Sequence, residues 1–129
     1  MASDPRLPDY LRHMEEAAQL SLEYTADMDY AAFLADEITQ KAVLFNFVIL
    51  GEAVTKLMVK HADFLAQHPQ VAWRSIRDMC NQVAHGYFTI NTEVVWRTVQ
   101  SALPDLLAEL RAITAAAGQA TGQALTATS

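Results

Sequence analysis

Leu7, Tyr10, Leu11, Met14, Ala18, Leu22 and Thr25 recur at intervals of three and four residues, the spacing of one buried helical face. Pro8 falls in the first turn, where its missing N–H leaves no helical bond unmade. Asp27 and Asp29 break the pattern, and Asp29 is placed to cap a short helical turn from Tyr30 to Leu34. A third helix is predicted from about Asp36 to Lys60. Between Ala42 and Leu50 it is hydrophobic nearly all round, so it must be covered on more than one side. That makes it either the central helix or one shared with a second subunit. Gly51, which costs about 1 kcal/mol relative to alanine inside a helix, points to a close approach between helices.

His68-Pro69 interrupts the helical pattern, because the residue before proline is driven out of the α region. A fourth helix runs from about Val71 to Ala84 and stops at Gly86. Asn91 or Thr92 caps a fifth, carrying Val94, Val95, Val99, Leu103, Leu106, Leu107 and Leu110, which Pro104 kinks or divides. From Ala115 the apolar period is lost. The pattern predicts an all-α, up-and-down bundle of four to five helices over residues 1–114, followed by a flexible C-terminal tail at 115–129.

Composition supports this picture. The 129 residues are 52% hydrophobic and 19% charged, with four Gly and four Pro, as expected for one helical domain with a continuous core. One cysteine, Cys80, excludes an internal disulfide and a Cys-cluster metal site. The start of the chain lacks a secretory apolar segment, and the longest apolar run is nine residues interrupted by Asn46. Both point to a cytoplasmic protein without a membrane span. The net charge of −6 gives no general attraction to phosphate backbones. Any RNA contact then needs a local cationic patch or a partner.

Candidate chemistry concentrates on the fourth helix, Trp73-Arg74-Ser75-Ile76-Arg77-Asp78-Met79-Cys80-Asn81-Gln82-Val83-Ala84-His85, and on Gly86-Tyr87-Phe88 after it. At 100° per residue, Trp73, Ile76, Cys80 and Val83 form an apolar stripe. Arg74, Asp78, Asn81 and His85 form a second, with Arg77 between the two. The second stripe reads equally as a solvated face, with Arg74 and Asp78 a weak i,i+4 pair and His85 facing the helix dipole. Cys80 reads as a small buried hydrophobe. His13, His61 and His68 show no metal-ligand spacing, Glu15-Glu16 reads as a solvated face, and Glu52 and Asn46 read as hydrogen-bonded within the core or across an interface. No glycine-rich phosphate loop is present, and neither metal nor cofactor is expected.

Trp-Arg-x-Ile-x-x-Met, then Asn81 and His85-Gly86-Tyr87-Phe88, resembles the HepT-like branch of the HEPN superfamily, ribonuclease toxins paired with minimal nucleotidyltransferase antitoxins. Tyr10-Leu11-Arg12-His13-Met14, Ala32-Phe33-Leu34-Ala35-Asp36, Ile49-Leu50-Gly51-Glu52-Ala53 and Val95-Trp96-Arg97-Thr98-Val99 extend the resemblance over about residues 7 to 112. The family signature is an arginine, four to six residues beginning with a polar one, a histidine, one residue and a tyrosine. Asn81, His85 and Tyr87 match it; Cys80 stands at the arginine's position.

The resemblance implies a homodimer whose two motifs share a cleft. It implies metal-independent cleavage of RNA, with His85 as the catalytic acid–base group and Asn81 beside it. Tyr87 corresponds to the tyrosine that receives AMP from the antitoxin. Arginine's fixed fork of donors stabilises a phosphorane, and a thiol supplies neither charge nor fork. Arg77 is the possible substitute, although it lies about 12 Å from His85 along the axis. The alternative is a catalytically silenced subunit that still binds the nucleotidyltransferase.

Overall fold

The most apolar stretch of the chain becomes the centre of the structure. The computed structural model describes residues 7–86 and 91–128, with their side chains except at 84, 85 and 117–128. The elements are α1 (Leu7–Tyr24), α2 (Tyr30–Ala35), α3 (Glu37–Lys60), α4 (Ala62–Ala66), α5 (Trp73–His85), α6 (Thr92–Arg97), one turn of π-helix (Thr98–Ala102) and α7 (Leu103–Thr128). The fold is an all-α bundle, and no strand occurs among the described residues.

α3 packs on α1 along one side and on α5 along another, while α7 closes the bundle against α1. Val43, Phe47, Leu50, Val54 and Leu57 of α3 are fully buried, meeting Met14 of α1 and Leu103 and Leu110 of α7 in one core. By length and composition α3 could cross a membrane, a property the count of consecutive apolar residues missed; it serves here as the central helix. Its outer face keeps Ile38, Phe45, Val48 and Val59 exposed, Phe45 to 65%.

The predicted caps hold. Asp29 accepts from the Ala32 backbone N–H at 2.8 Å, starting α2. Asn91 accepts from the Glu93 and Val94 N–H groups, starting α6, which satisfies donors that the first helical turn leaves open. Gly86 ends α5, its N–H donating to the Gln82 carbonyl at φ −119°. The turn therefore does not use glycine's left-handed freedom.

Two local readings change, and a third gains detail. α4 forms inside the segment read as a break, so the short helices raise the number of elements above four to five. The fifth helix divides through a π-turn placed directly before Pro104. A proline ring clashes with the carbonyl four residues back and offers no N–H; widening the preceding turn accommodates both. Glu15 is not simply solvated, because it accepts from Thr114 at 3.3 Å and lies 3.9 Å from Arg111, tying α1 to α7. Arg111 also donates to Gln19 at 2.6 Å across the same seam. α7 remains helical to Thr128, and Ile113 is the last core residue among its described side chains.

At Gly51, α3 and α5 approach each other closely. A Cβ placed there would lie 2.8 Å from the Cys80 Cβ, nearer than packed carbons tolerate. Gly51→Ala is therefore expected to destabilise the protein by about 1–3 kcal/mol through overpacking, despite alanine's better helix propensity. Thermal and urea unfolding check this. A midpoint at or above the parent's would mean that the two helices are free to separate.

Candidate active site on helix α5

α5 rests mainly on α3, and its sequence divides as the helical wheel requires. Trp73 and Cys80 are buried, Ile76 and Val83 are half-buried, and Arg74, Asp78 and Asn81 are exposed. The Trp73 indole N–H donates to the His68 carbonyl at 3.0 Å, fixing the start of the helix against the preceding turn. His85 is its last residue and lies one helical turn beyond Asn81. The His85 side chain and the whole of Tyr87 lie outside the described residues.

Cys80, at the signature's arginine position, is 1% exposed and faces α3 at Gly51. Burial pushes its thiol up to about 12, opposed in part by a backbone hydrogen bond from Gly51, because an apolar surrounding penalises the thiolate. At neutral pH the group is an uncharged thiol. It offers no nucleophile and no positive charge for a phosphate. The Asn81 Oδ1 lies 3.6 Å from the position a Gly51 Cβ would take, so the missing side chain on α3 leaves room for Asn81 as well as Cys80.

The charges pair differently from the spacing-based reading. Asp78 is bound by Arg77 rather than by Arg74: the Arg77 Nε and Nη2 donate to its Oδ1 at 3.0 and 2.8 Å. Adjacent residues on a helix point apart, and the long arginine folds back to reach its neighbour. Arg77 is thus neutralised locally and held about two turns from His85. Arg74 is exposed and has no ion pair among the described residues.

The other histidines take structural positions. His61 meets the Tyr10 ring edge-on at 6.2 Å, and the His68 ring lies tilted against Phe64 at 4.6 Å. His13 lines a groove between α1 and α3 with Phe45, Val48 and Glu52. Glu52 is exposed there rather than buried, whereas Asn46 is buried as expected. No cluster of three or more His, Cys, Asp or Glu with metal-binding geometry occurs among the described residues.

Because α5 leans on one helix, it is flanked by open space. A cavity of about 490 Å³ lies towards α7, over Leu50 and Ile76 and beside Asp105 and Glu109. A smaller one, about 240 Å³, lies towards α6, between Met79 and Val94. The first brings together elements far apart in the chain, and the second lies between two successive helices whose mutual packing sequence spacing does not give.

Known proteins resemble this chain over most of its length. A family profile described as ribonuclease HepT-like matches residues 14–113. A protein of Thermococcus cleftensis named "Probable ribonuclease HepT" is 36% identical over 98 residues, covering 76% of this chain and 86% of its own length. A relative from Methanocaldococcus jannaschii, named as an RNase, is 35% identical over 107 residues, 83% of each chain. Another, from Caldanaerobacter subterraneus subsp. tengcongensis, is 27% identical over 104 residues, 81% of this chain and 90% of its own. No solved structure shows significant similarity.

The buried thiol makes a direct prediction. Cys80 should react with a thiol reagent at pH 8 only at the rate of unfolding, and at once in denaturant. Its raised value also means that unfolding releases a proton more easily than the native state does. Its contribution to stability is whole below about pH 9 and is lost as pH rises towards about 12. Rapid labelling of the native protein would place Cys80 at the surface instead.

Proposed function

The chain belongs to the HepT-like ribonuclease family of the HEPN superfamily, the toxin side of toxin–antitoxin pairs, and on that premise we propose that it is a metal-independent endoribonuclease. The observation that carries this reading is the sequence order Asn81, His85, Tyr87, with the first two at the C-terminal end of α5, in a member of that family. His85 takes the proton of a ribose 2′-hydroxyl as its oxygen attacks the adjacent phosphorus. The bond to the 5′-oxygen breaks, leaving a 2′,3′-cyclic phosphate, and that oxygen departs as an alcohol on receiving the proton His85 took. Asn81, one turn earlier, orients the imidazole or the substrate. The partner antitoxin, a minimal nucleotidyltransferase, transfers AMP to Tyr87, adding bulk and negative charge beside the site.

A second reading has its own support. Cys80 is buried and uncharged, and Arg77 is tied to Asp78, so α5 carries the acid–base group without the cation the family places next to Asn81. On this reading the chain is a silenced subunit that retains its antitoxin partner. Structured RNA incubated with chelator separates the two. The enzyme reading expects slow cleavage by the parent, abolished in His85→Ala. It expects Cys80→Arg, with the guanidinium extending out of the α3–α5 seam, to be faster by about a hundred- to thousand-fold. Cleavage by the arginine variant alone supports the silenced subunit. No cleavage by either, with folding intact, removes the ribonuclease reading. Co-expression with a minimal nucleotidyltransferase should add one AMP to the parent and none to Tyr87→Phe, by intact mass; equal addition to both would move the modification elsewhere.

A homodimer would bring two copies of α5 to one groove. The exposed Phe45 and Val48 on the outer face of α3 support it, since an apolar stripe on a central helix gains by being covered. Sedimentation at micromolar concentration should show a dimer that Phe45→Glu converts to monomer without unfolding. A monomeric parent would remove the shared-cleft arrangement.

A further inference from the structure

The cavity between the last turns of α5 and the first turn of α6 has a volume of about 240 Å³. Met79, Val83, Val94 and Val95 supply its walls, and Gln82 and Asn91 supply polar groups at its edge. Gly86, the C-cap that directly follows His85, lines the same space. The Asn91 Oδ1 already accepts from the Glu93 and Val94 N–H groups at 3.0 and 3.2 Å. What Asn91 has to offer a ligand is therefore its amide N–H donors. Gln82 is exposed and carries both a donor and an acceptor. No charged side chain is among the described residues that line this cavity.

We propose that this cavity is a nucleobase subsite, a proposal that rests on the reading of the chain as acting on RNA. Its volume falls below the roughly 300–1,000 Å³ of sites for drug-sized ligands, which suits one flat ring system and not an extended molecule. Valine methyls and a polarisable methionine thioether pack well on the two faces of a heteroaromatic ring. Two amides at the edge match the alternating donors and acceptors of an unstacked base. Position completes the argument: a base held against Val83 and Gly86 leaves its own ribose and phosphate beside the end of α5, where His85 stands. Recognition by apolar walls and neutral amides also fits a chain of net charge −6, which has no long-range attraction for phosphate. The same ring could be presented by an RNA strand or by a mononucleotide.

Methyl-resolved NMR of the full chain tests this, with adenosine and ribose 5-phosphate as separate probes. The subsite expects saturable shifts at the Val83, Val94, Val95 and Met79 methyls with adenosine and none with ribose 5-phosphate. The Kd should change less than about twofold between low and high salt, because no ion pair forms. Gln82→Ala, at an exposed position, should weaken adenosine binding by about three- to tenfold, the scale of one neutral hydrogen bond. Val94→Trp, which fills the space, should abolish it; the glutamine variant decides alone if the tryptophan variant does not fold. Shifts confined to other parts of the protein, an equal response to ribose 5-phosphate, or binding unchanged in Gln82→Ala would overturn the proposal.

Mapping cleavage sites distinguishes the two sources of the base. A base preference lost in Gln82→Ala assigns the slot to RNA. A preference that persists while adenosine binding weakens assigns it to a mononucleotide. Binding is read without catalysis, so adenosine in the slot of a protein that cuts no RNA keeps the subsite and removes the ribonuclease reading. Cleavage that depends on His85 with an empty slot does the reverse.

Discussion

The close contact between Gly51 of α3 and Cys80 of α5 is the constraint on which the rest of this structure turns. α5 rests mainly on α3, so this seam sets the distance, the rotation and the exposed face of the helix that carries the candidate site. Only a residue without a side chain lets the helices meet this closely, which explains a glycine in the interior of the most apolar helix despite its poor helix propensity. The same rotation that buries Cys80 turns Asp78 and Asn81 outward. Packing and presentation of the site are thus one geometric fact.

That geometry defines the electrostatic character of the site. The position where the family places an arginine is occupied by a desolvated, neutral thiol. The nearest arginine spends its donors on a carboxylate next to it. In a chain of net charge −6, the described side chains around Asn81 bring little positive charge with which to draw in a polyanion. Affinity must come from groups that need no charge, from a second copy, or from the partner. The open space on either side of α5, a consequence of its support by one main neighbour, is where uncharged recognition has room to act.

Some of this arrangement was legible in the chain because its causes are local. The Asp29 and Asn91 caps, the end of α5 at Gly86 and the extent of α3 follow from residue type and from the 3.6-residue period. So did the division of the last helix near Pro104, although not the π-turn that accomplishes it. The order of Asn81, His85 and Tyr87 was equally plain, being a matter of neighbours in one segment. Where spacing alone chose a partner it failed for Asp78. Spacing compares backbone positions only, whereas the outcome depended on how far a flexible arginine reaches back.

The sequence by itself determined an all-helical chain, a long apolar helix that had to be covered on more than one side and the single segment able to carry acid–base chemistry, because helical periodicity and capping are read within a few residues. Tertiary structure decided that Gly51 meets Cys80, that Glu15 ties α1 to α7, that Glu52 faces outward and that cavities open beside α5. Each of these depends on the separation and rotation of packed elements rather than on the residues of any one element. Those quantities are fixed only when all the side chains compete for the same space.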